Sequence, residues 1–182
     1  RLEDLVQVLA DEGAATAASI VDLDAAVANA DVIITATNTP AALIDVTKLR
    51  PGAIVCDVSR PRNVSEESAL ARPDILVLDG GVVKPPGEVD FHFSFGIAPG
   101  LAYACMAEPM ILAMEGRYES FSLGGDIDLA KVEEISQLGR KHGFTLAGLR
   151  SFDGEVSAGL IERVRKARTR ARRRRAASVL VR

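Results

Sequence analysis

The sequence contains no tryptophan, and aromatic residues fill only 4% of its 182 positions. That scarcity argues against a platform of stacked rings for single-stranded nucleic acid. Its two cysteines, Cys56 and Cys105, are too few for a disulfide framework and point to a reducing, cytoplasmic setting. No uncharged apolar run reaches the ~18 residues a membrane-spanning helix requires. A Gly-x-Gly-x-x-Gly phosphate loop is also absent, so spacing alone establishes no dinucleotide site. Neither an initiator Met nor a signal-peptide pattern stands at Arg1-Leu2-Glu3-Asp4, and the start inside a helical pattern predicts further residues upstream. What is present is 48% hydrophobic and 26% charged. That is globular composition for one domain, or a domain with an appendage.

Charge is distributed unevenly. The net charge of −3 combines two regions of opposite sign. Residues 160–182 carry ten Lys or Arg against Glu162 alone, a local +9, which leaves −12 on residues 1–159. An acidic body argues against nucleic acid as its main ligand, because phosphate binding needs a positive face. The basic end therefore has to be judged separately.

Along the chain, Leu2, Leu5, Val6 and Leu9 follow one helical face. Residues 22–29 predict a short helix with Asp22 as N-cap. Three strand-like runs follow: Val32–Thr35, Ala53–Cys56 and Ile75–Leu78. Each is β-branched and apolar throughout, the pattern of strands buried on both faces of a parallel sheet. Turns and short helices at Arg50-Pro51-Gly52 and Ser65-Glu66-Glu67 separate them, so the fold class is α/β in layers. Phe91, Phe93 and Phe95 alternate beyond Gly80-Gly81. A helix over about 101–118, interrupted by Pro109, and another over about 128–142, stopped by Gly143, come next.

In open parallel sheets ligands sit beyond the carboxyl ends of the strands. The loops after Thr35, Asp57 and Asp79 would share one such crevice, and three ordinary turns would leave the same spacing. Asp57 can face that crevice or cap a turn, and Cys56 reads as core packing. Gly80-Gly81 can allow close backbone approach or simply form a turn.

Asp31–Pro40 and Cys56-Asp57-Val58-Ser59-Arg60-Pro61-Arg62-Asn63-Val64 resemble the second half of the Rossmann domain of glutamyl-tRNA reductases and shikimate dehydrogenases. A more specific resemblance, to the cyanobacterial long-chain acyl-[acyl-carrier-protein] reductases, rests on Leu78-Asp79-Gly80-Gly81-Val82-Val83, Ala104-Cys105-Met106-Ala107-Glu108 and Lys141-His142-Gly143-Phe144. Phe121-Ser122 and the charged helix after it add to it, and the resemblance runs from Arg1 to about Leu149. It implies a partial Rossmann-like parallel sheet (residues 1–98) followed by a helical segment (99–149); it does not reach residues 150–182, whose Arg-rich composition reads as a disordered basic tail. The Gly-rich phosphate loop, the basic residue for a 2′-phosphate and an N-terminal substrate region would lie upstream of Arg1.

The resemblance also implies NADPH-dependent reduction of a fatty acyl thioester to an aldehyde. Cys105 would be the nucleophile, and Ala36, Thr37, Asn38, Asp57, Gly80 and Gly81 would line the NADPH site. Acyl carrier protein or acyl-CoA would be the substrate partner, with a downstream aldehyde-consuming enzyme after it. Thioester attack needs a thiolate, and a thiol at the reference pKa of about 8.5 is only ~3% ionised at neutral pH. Roughly 0.3–1 kcal/mol from a helix N-terminus raises that fraction to ~15% at most. A base or apolar positioning of the acyl chain must therefore assist.

Glu108, three residues on, shares a helical face with Cys105. A carboxylate beside a thiol disfavours the thiolate, so Glu108 is expected to position rather than activate. His142 is expected to cap a helix end or to hand a proton to the leaving group. His92 reads as structural, and the histidines with Cys105 lack metal-ligand spacing. Pro109 departs from the family, which has a small helix-compatible residue there. Proline fits N1 of a helix, which would leave Cys105 in the turn before it. The phenylalanines at 91, 93 and 95 can wall an acyl channel or form one face of a strand.

Two other functions stay open. One is a keto-acid or glutamyl-tRNA type of dehydrogenase that has no need of Cys105; the other is a non-catalytic binding module. The basic tail can be a solvated segment, a dock for an acidic carrier protein, or a surface for nucleic acid or anionic membrane.

Overall fold

A computed structural model describes residues 2–124, 128–152 and 154–179. Helix α1 (Leu2–Asp11) and helix α2 (Leu23–Asn29) come first. Asp22 caps α2 as expected, its carboxylate accepting from Ala25 N at 3.1 Å. Strands β1 (Val32–Thr35), β2 (Ile54–Asp57) and β3 (Leu76–Asp79), with helix α3 (Glu66–Leu70) between the last two, form one parallel sheet in sequence order. Their register aligns Ile33, Val55 and Val77 across one face, and Thr35, Asp57 and Asp79 at the carboxyl ends. The α/β class and the parallel sheet are as the sequence predicts.

The covering layers differ from expectation. On one face Val55 and Val77 pack with Val27 of α2, with Ile44, Val46 and Leu49 from the β1–β2 connection, and with Val64. The other face is open at β1, where Val32 is 54% and Ile34 72% exposed. The strands look alike in sequence because β-branched residues suit either environment. Only the placement of helices decides which face is wet.

After β3, strands β4 (Val82–Lys84) and β5 (Ala102–Tyr103) pair antiparallel. Helix α4 (Ala104–Met114) follows β5 directly, and α5 (Leu129–Lys141) is capped by Asp128. Strand β6 (Thr145–Leu146) joins β4 on its other side, and β7 (Arg150–Ser151) pairs with β8 (Gly154–Glu155). Phe91–Phe95 is a loop and no strand, with Phe93 71% exposed. Pro109 does not begin a helix: it is the sixth residue of α4. Buried Ala107, Ile111 and Leu112 hold α4 together across the hydrogen bond that proline cannot donate.

The arginine-rich end forms the longest helix, α6 (Ala158–Val179), rather than a disordered tail. Ala and Arg are strong helix formers, and Glu162 pairs with Arg165 and Lys166 one turn on. Buried Val164 anchors the helix, which crosses the start of β2. There Gly52 (φ +83) lies so close that an added Cβ would fall 2.3 Å from Arg168 Cβ and 2.4 Å from its Cα. No helix among the described residues is long and apolar enough to cross a membrane.

Gly52 therefore serves both a left-handed turn and the seat of α6. Gly52→Ala is expected to cost about 1–3 kcal/mol in urea unfolding. Gly13→Ala, at φ +91 in open space, carries only the backbone strain. An equal loss in both variants would show that α6 does not bear on Gly52.

Candidate active site

The three strands end together at Thr35, Asp57 and Asp79, and the loops beyond them are tied by polar groups. Asp57 is 1% exposed. One carboxylate oxygen accepts from Thr35 Oγ1 (2.7 Å) and Ser59 N (3.0 Å), the other from Asn63 N (2.6 Å) and Val64 N (3.3 Å). Burial works against its charge, but the Thr35 hydroxyl and the three backbone donors outweigh it and hold the carboxyl below its ordinary range. Ser59 and Asn63 extend the lattice to the β1 loop. Ser59 Oγ accepts from Thr37 N at 2.9 Å, and the Asn63 amide meets the Thr37 hydroxyl at 3.0 Å. Asp57 thus organises the loops from inside. Of the two roles expected for it, facing the crevice or capping a turn, its four hydrogen bonds serve the turn.

Asp79 anchors a second cluster that the sequence reading did not single out. Its side chain is 5% exposed and accepts from Arg62 Nε at 2.8 Å and Arg60 Nη2 at 3.3 Å. Arg60 also lies over the Tyr103 ring, 5.1 Å from its centre, and donates to its hydroxyl at 3.3 Å. That hydroxyl donates in turn to Phe95 O at 3.4 Å. The available signal was two arginines flanking Pro61 immediately after a strand, opposite an aspartate closing the next one.

Tyr103 is the N-cap of α4, and Cys105 is the second residue of that helix, exposed to solvent. No side chain caps the helix, so its first turn presents backbone N–H groups that favour an anion. Ala104 N donates to Gly81 O at 2.7 Å, which places the cysteine beside the turn that follows β3. The structure thus brings Cys105 and Gly81 together. Gly80 is a different case: a Cβ there would meet Val58 Cγ2 at 2.8 Å and Cys56 Sγ at 3.0 Å. Packing against Val58 and Cys56 by itself requires a glycine here. Ala36, Thr37 and Asn38 are exposed at the carboxyl end of β1.

Glu108 and His142 are occupied elsewhere. Glu108 accepts from Ser122 Oγ at 2.6 Å and Ser122 N at 3.4 Å, holding the loop after α4. His142 is the C-cap of α5, and its Nε2 pairs with Glu115, the C-cap of α4. Lys141 Nζ (2.6 Å) and His142 together hold the Glu115 carboxyl below its ordinary range. Glu115 lies ten positions on from Cys105, about 15 Å at the rise of an α-helix. His142 therefore sits at the far end of α4 from the thiol. His92 is an exposed loop residue paired with Asp90. A hollow of about 290 Å³ is lined by the aromatic loop, including Phe91, Phe95 and Leu101.

Asp57→Asn would turn an N–H donor toward the Asn63 and Val64 amides, with an expected loss of about 2–4 kcal/mol from buried donors left unpaired. The folded pKa of Asp57 lies below its unfolded value of 3.8. Its contribution is therefore full above that pH and is lost as pH falls through the folded value. Urea midpoints between pH 7 and pH 2 should show wild type losing this increment in acid while Asp57→Asn does not. Parallel acid profiles for the two proteins would refute the buried-charge account.

Comparison with known proteins bears on this geometry. Residues 1–79 match the family model for shikimate/quinate 5-dehydrogenase. The chain is 38% identical over 117 residues to the aminotransferase PigE of Serratia sp. (strain ATCC 39006), which is 63% of this chain and 14% of that protein. It is 31% identical over 131 residues to a long-chain acyl-[acyl-carrier-protein] reductase of Synechococcus elongatus, which is 69% of this chain and 38% of that one. The chain therefore spans well under half the length of these curated relatives. With the parallel β1–β2–β3 sheet, these matches relate the chain to the Rossmann-like superfamily of the shikimate dehydrogenases and the long-chain acyl-[acyl-carrier-protein] reductases.

Proposed function

We propose that this chain is part of an NADPH-dependent reductase that converts a long-chain acyl thioester to a fatty aldehyde, with Cys105 as its nucleophile. One observation carries the proposal. An exposed thiol occupies the first turn of α4, and that turn is fastened by Ala104 N to Gly81 O at the carboxyl end of the parallel sheet. That is where open α/β sheets place their ligands. The similarity to an acyl-[acyl-carrier-protein] reductase supplies the substrate class.

The Cys105 sulfur attacks the thioester carbonyl carbon; the new S–C bond forms as the carrier's S–C bond breaks, and the carrier leaves as its thiol. The uncapped first turn favours negative charge on the attacking sulfur. Arg60, held by Asp79 and stacked on Tyr103, fixes the start of α4 against the sheet. Glu108 secures Ser122 and leaves the sulfur without a carboxylate partner of its own. The aromatic hollow offers an apolar wall to the acyl chain.

For the cofactor, the exposed residues Ala36–Asn38 and the left-handed Gly81 (φ +71) fit a nicotinamide-bearing ligand, while Asp57 and Gly80 are engaged in packing and hydrogen bonds of the fold. When bound, the reduced nicotinamide supplies the hydride that the thioacyl group accepts. The 1–79 family match ends before Cys105, which favours as a second reading a dehydrogenase that has no use for the thiol. The name aminotransferase belongs to a protein of which 14% is matched, and amine transfer is not proposed.

Incubation with a long-chain acyl-CoA and no reductant, followed by intact-protein mass spectrometry, tests the reading. The expected result is a mass gain of one acyl group that hydroxylamine removes and that Cys105→Ser abolishes. An adduct of equal yield on Cys105→Ser, or none on the wild type, would favour the dehydrogenase without a nucleophilic cysteine.

A further inference from the structure

At the opposite end of the parallel sheet from Cys105, α6 and the turn leading into β2 enclose a cleft of about 720 Å³. Arg50 and five arginines of α6, among them Arg168, Arg172 and Arg175, line it, with Asp31 as its one carboxylate. Arg50 donates to Asp31 at 3.1 Å and Arg168 lies 3.8 Å from it. The Arg50 hydrogen bond, working against burial, holds the Asp31 carboxyl below its ordinary range, and Arg168 and Arg172 reinforce it. One negative charge thus faces a much larger positive one. Arg168 Nε is buried and finds no acceptor among the described residues.

We propose that this cleft docks an acidic protein surface, and that on the reductase reading above, on which the inference rests, the partner is the acyl carrier protein. Two observations favour a protein over a nucleic acid. Pro51, Ala167 and Ala171 also line the cleft, apolar groups suited to side-chain methylenes rather than to phosphodiesters. No aromatic residue lines it for base stacking. Arginine, the dominant cation here, meets carboxylate and phosphate alike with a planar two-pronged fork, so the choice between them rests on the lining.

The experiment titrates fluorescently labelled holo-acyl carrier protein with the full chain and follows anisotropy. Circular dichroism confirms the fold of each variant. In the expected result, a triple charge reversal (Arg172→Glu, Arg174→Glu, Arg175→Glu) weakens binding about tenfold or more, and the triple Lys variant stays within about threefold of wild type. Raising salt from ~20 to ~300 mM weakens wild-type binding. No measurable binding by wild type, or unchanged binding by the charge reversal, overturns the proposal. So does a duplex oligonucleotide that binds about tenfold tighter than the carrier, which would make the cleft a nucleic-acid surface. Acyl-CoA labelling of Cys105, read on the same proteins, separates the two ideas. Labelling with no carrier binding leaves the nucleophile and removes the dock; salt-dependent carrier binding without labelling leaves the dock and removes the nucleophile.

Discussion

The buried carboxylate of Asp57 is the constraint on which the rest of the sheet edge depends. Four donors converge on it from β1 and from the loop after β2. An ionised acid can be buried at 1% exposure only when its lone pairs are filled in this way. In return it sets the path of Ser59–Val64, and so the positions from which Arg60 and Arg62 reach Asp79. Through Arg60 and Tyr103 the same order passes to the first turn of α4, where Cys105 stands. The exposed thiol is therefore fixed at several removes by a residue that does not touch it.

The sheet has two unlike ends. Its carboxyl end gathers loops, an uncapped helix start and a thiol. Its amino end is sealed by Asp74 accepting from Gly52 N and by α6 lying over Gly52, and there the arginines accumulate. Acidic body and basic helix balance to a small net charge in composition while remaining separate in space. The long-range field of such a molecule is far stronger at α6 than its total suggests.

Much of the fold was legible in the sequence. The three apolar runs became β1, β2 and β3 within one residue, and Asp22 and Asp128 mark helix starts. Gly143 follows the C-cap of α5 with positive φ. The two-stranded and three-stranded antiparallel pieces were not legible, because their strands are two or three residues long and no periodicity develops over such a span. Helix α6 was misread because composition reports solubility and charge, whereas a helix needs only good propensity and an anchor such as Val164. Pro109 was misplaced for a related reason. Local preference puts proline at a helix start, and burial of Ile111 and Leu112 overrode it.

What the sequence determined by itself was local: the order of elements, the parallel character of the core strands, the cap positions and the segregation of charge. These follow from residue type and short-range spacing. The assignment of each polar side chain to a partner was decided by tertiary structure alone. Asp57 faces inward to four donors, Glu108 goes to Ser122, His142 to Glu115 and Arg60 to Asp79. Charged groups are satisfied by whatever donor lies within about 3 Å, and for residues 14 to 27 positions apart that distance is set by the packing of sheet and helices.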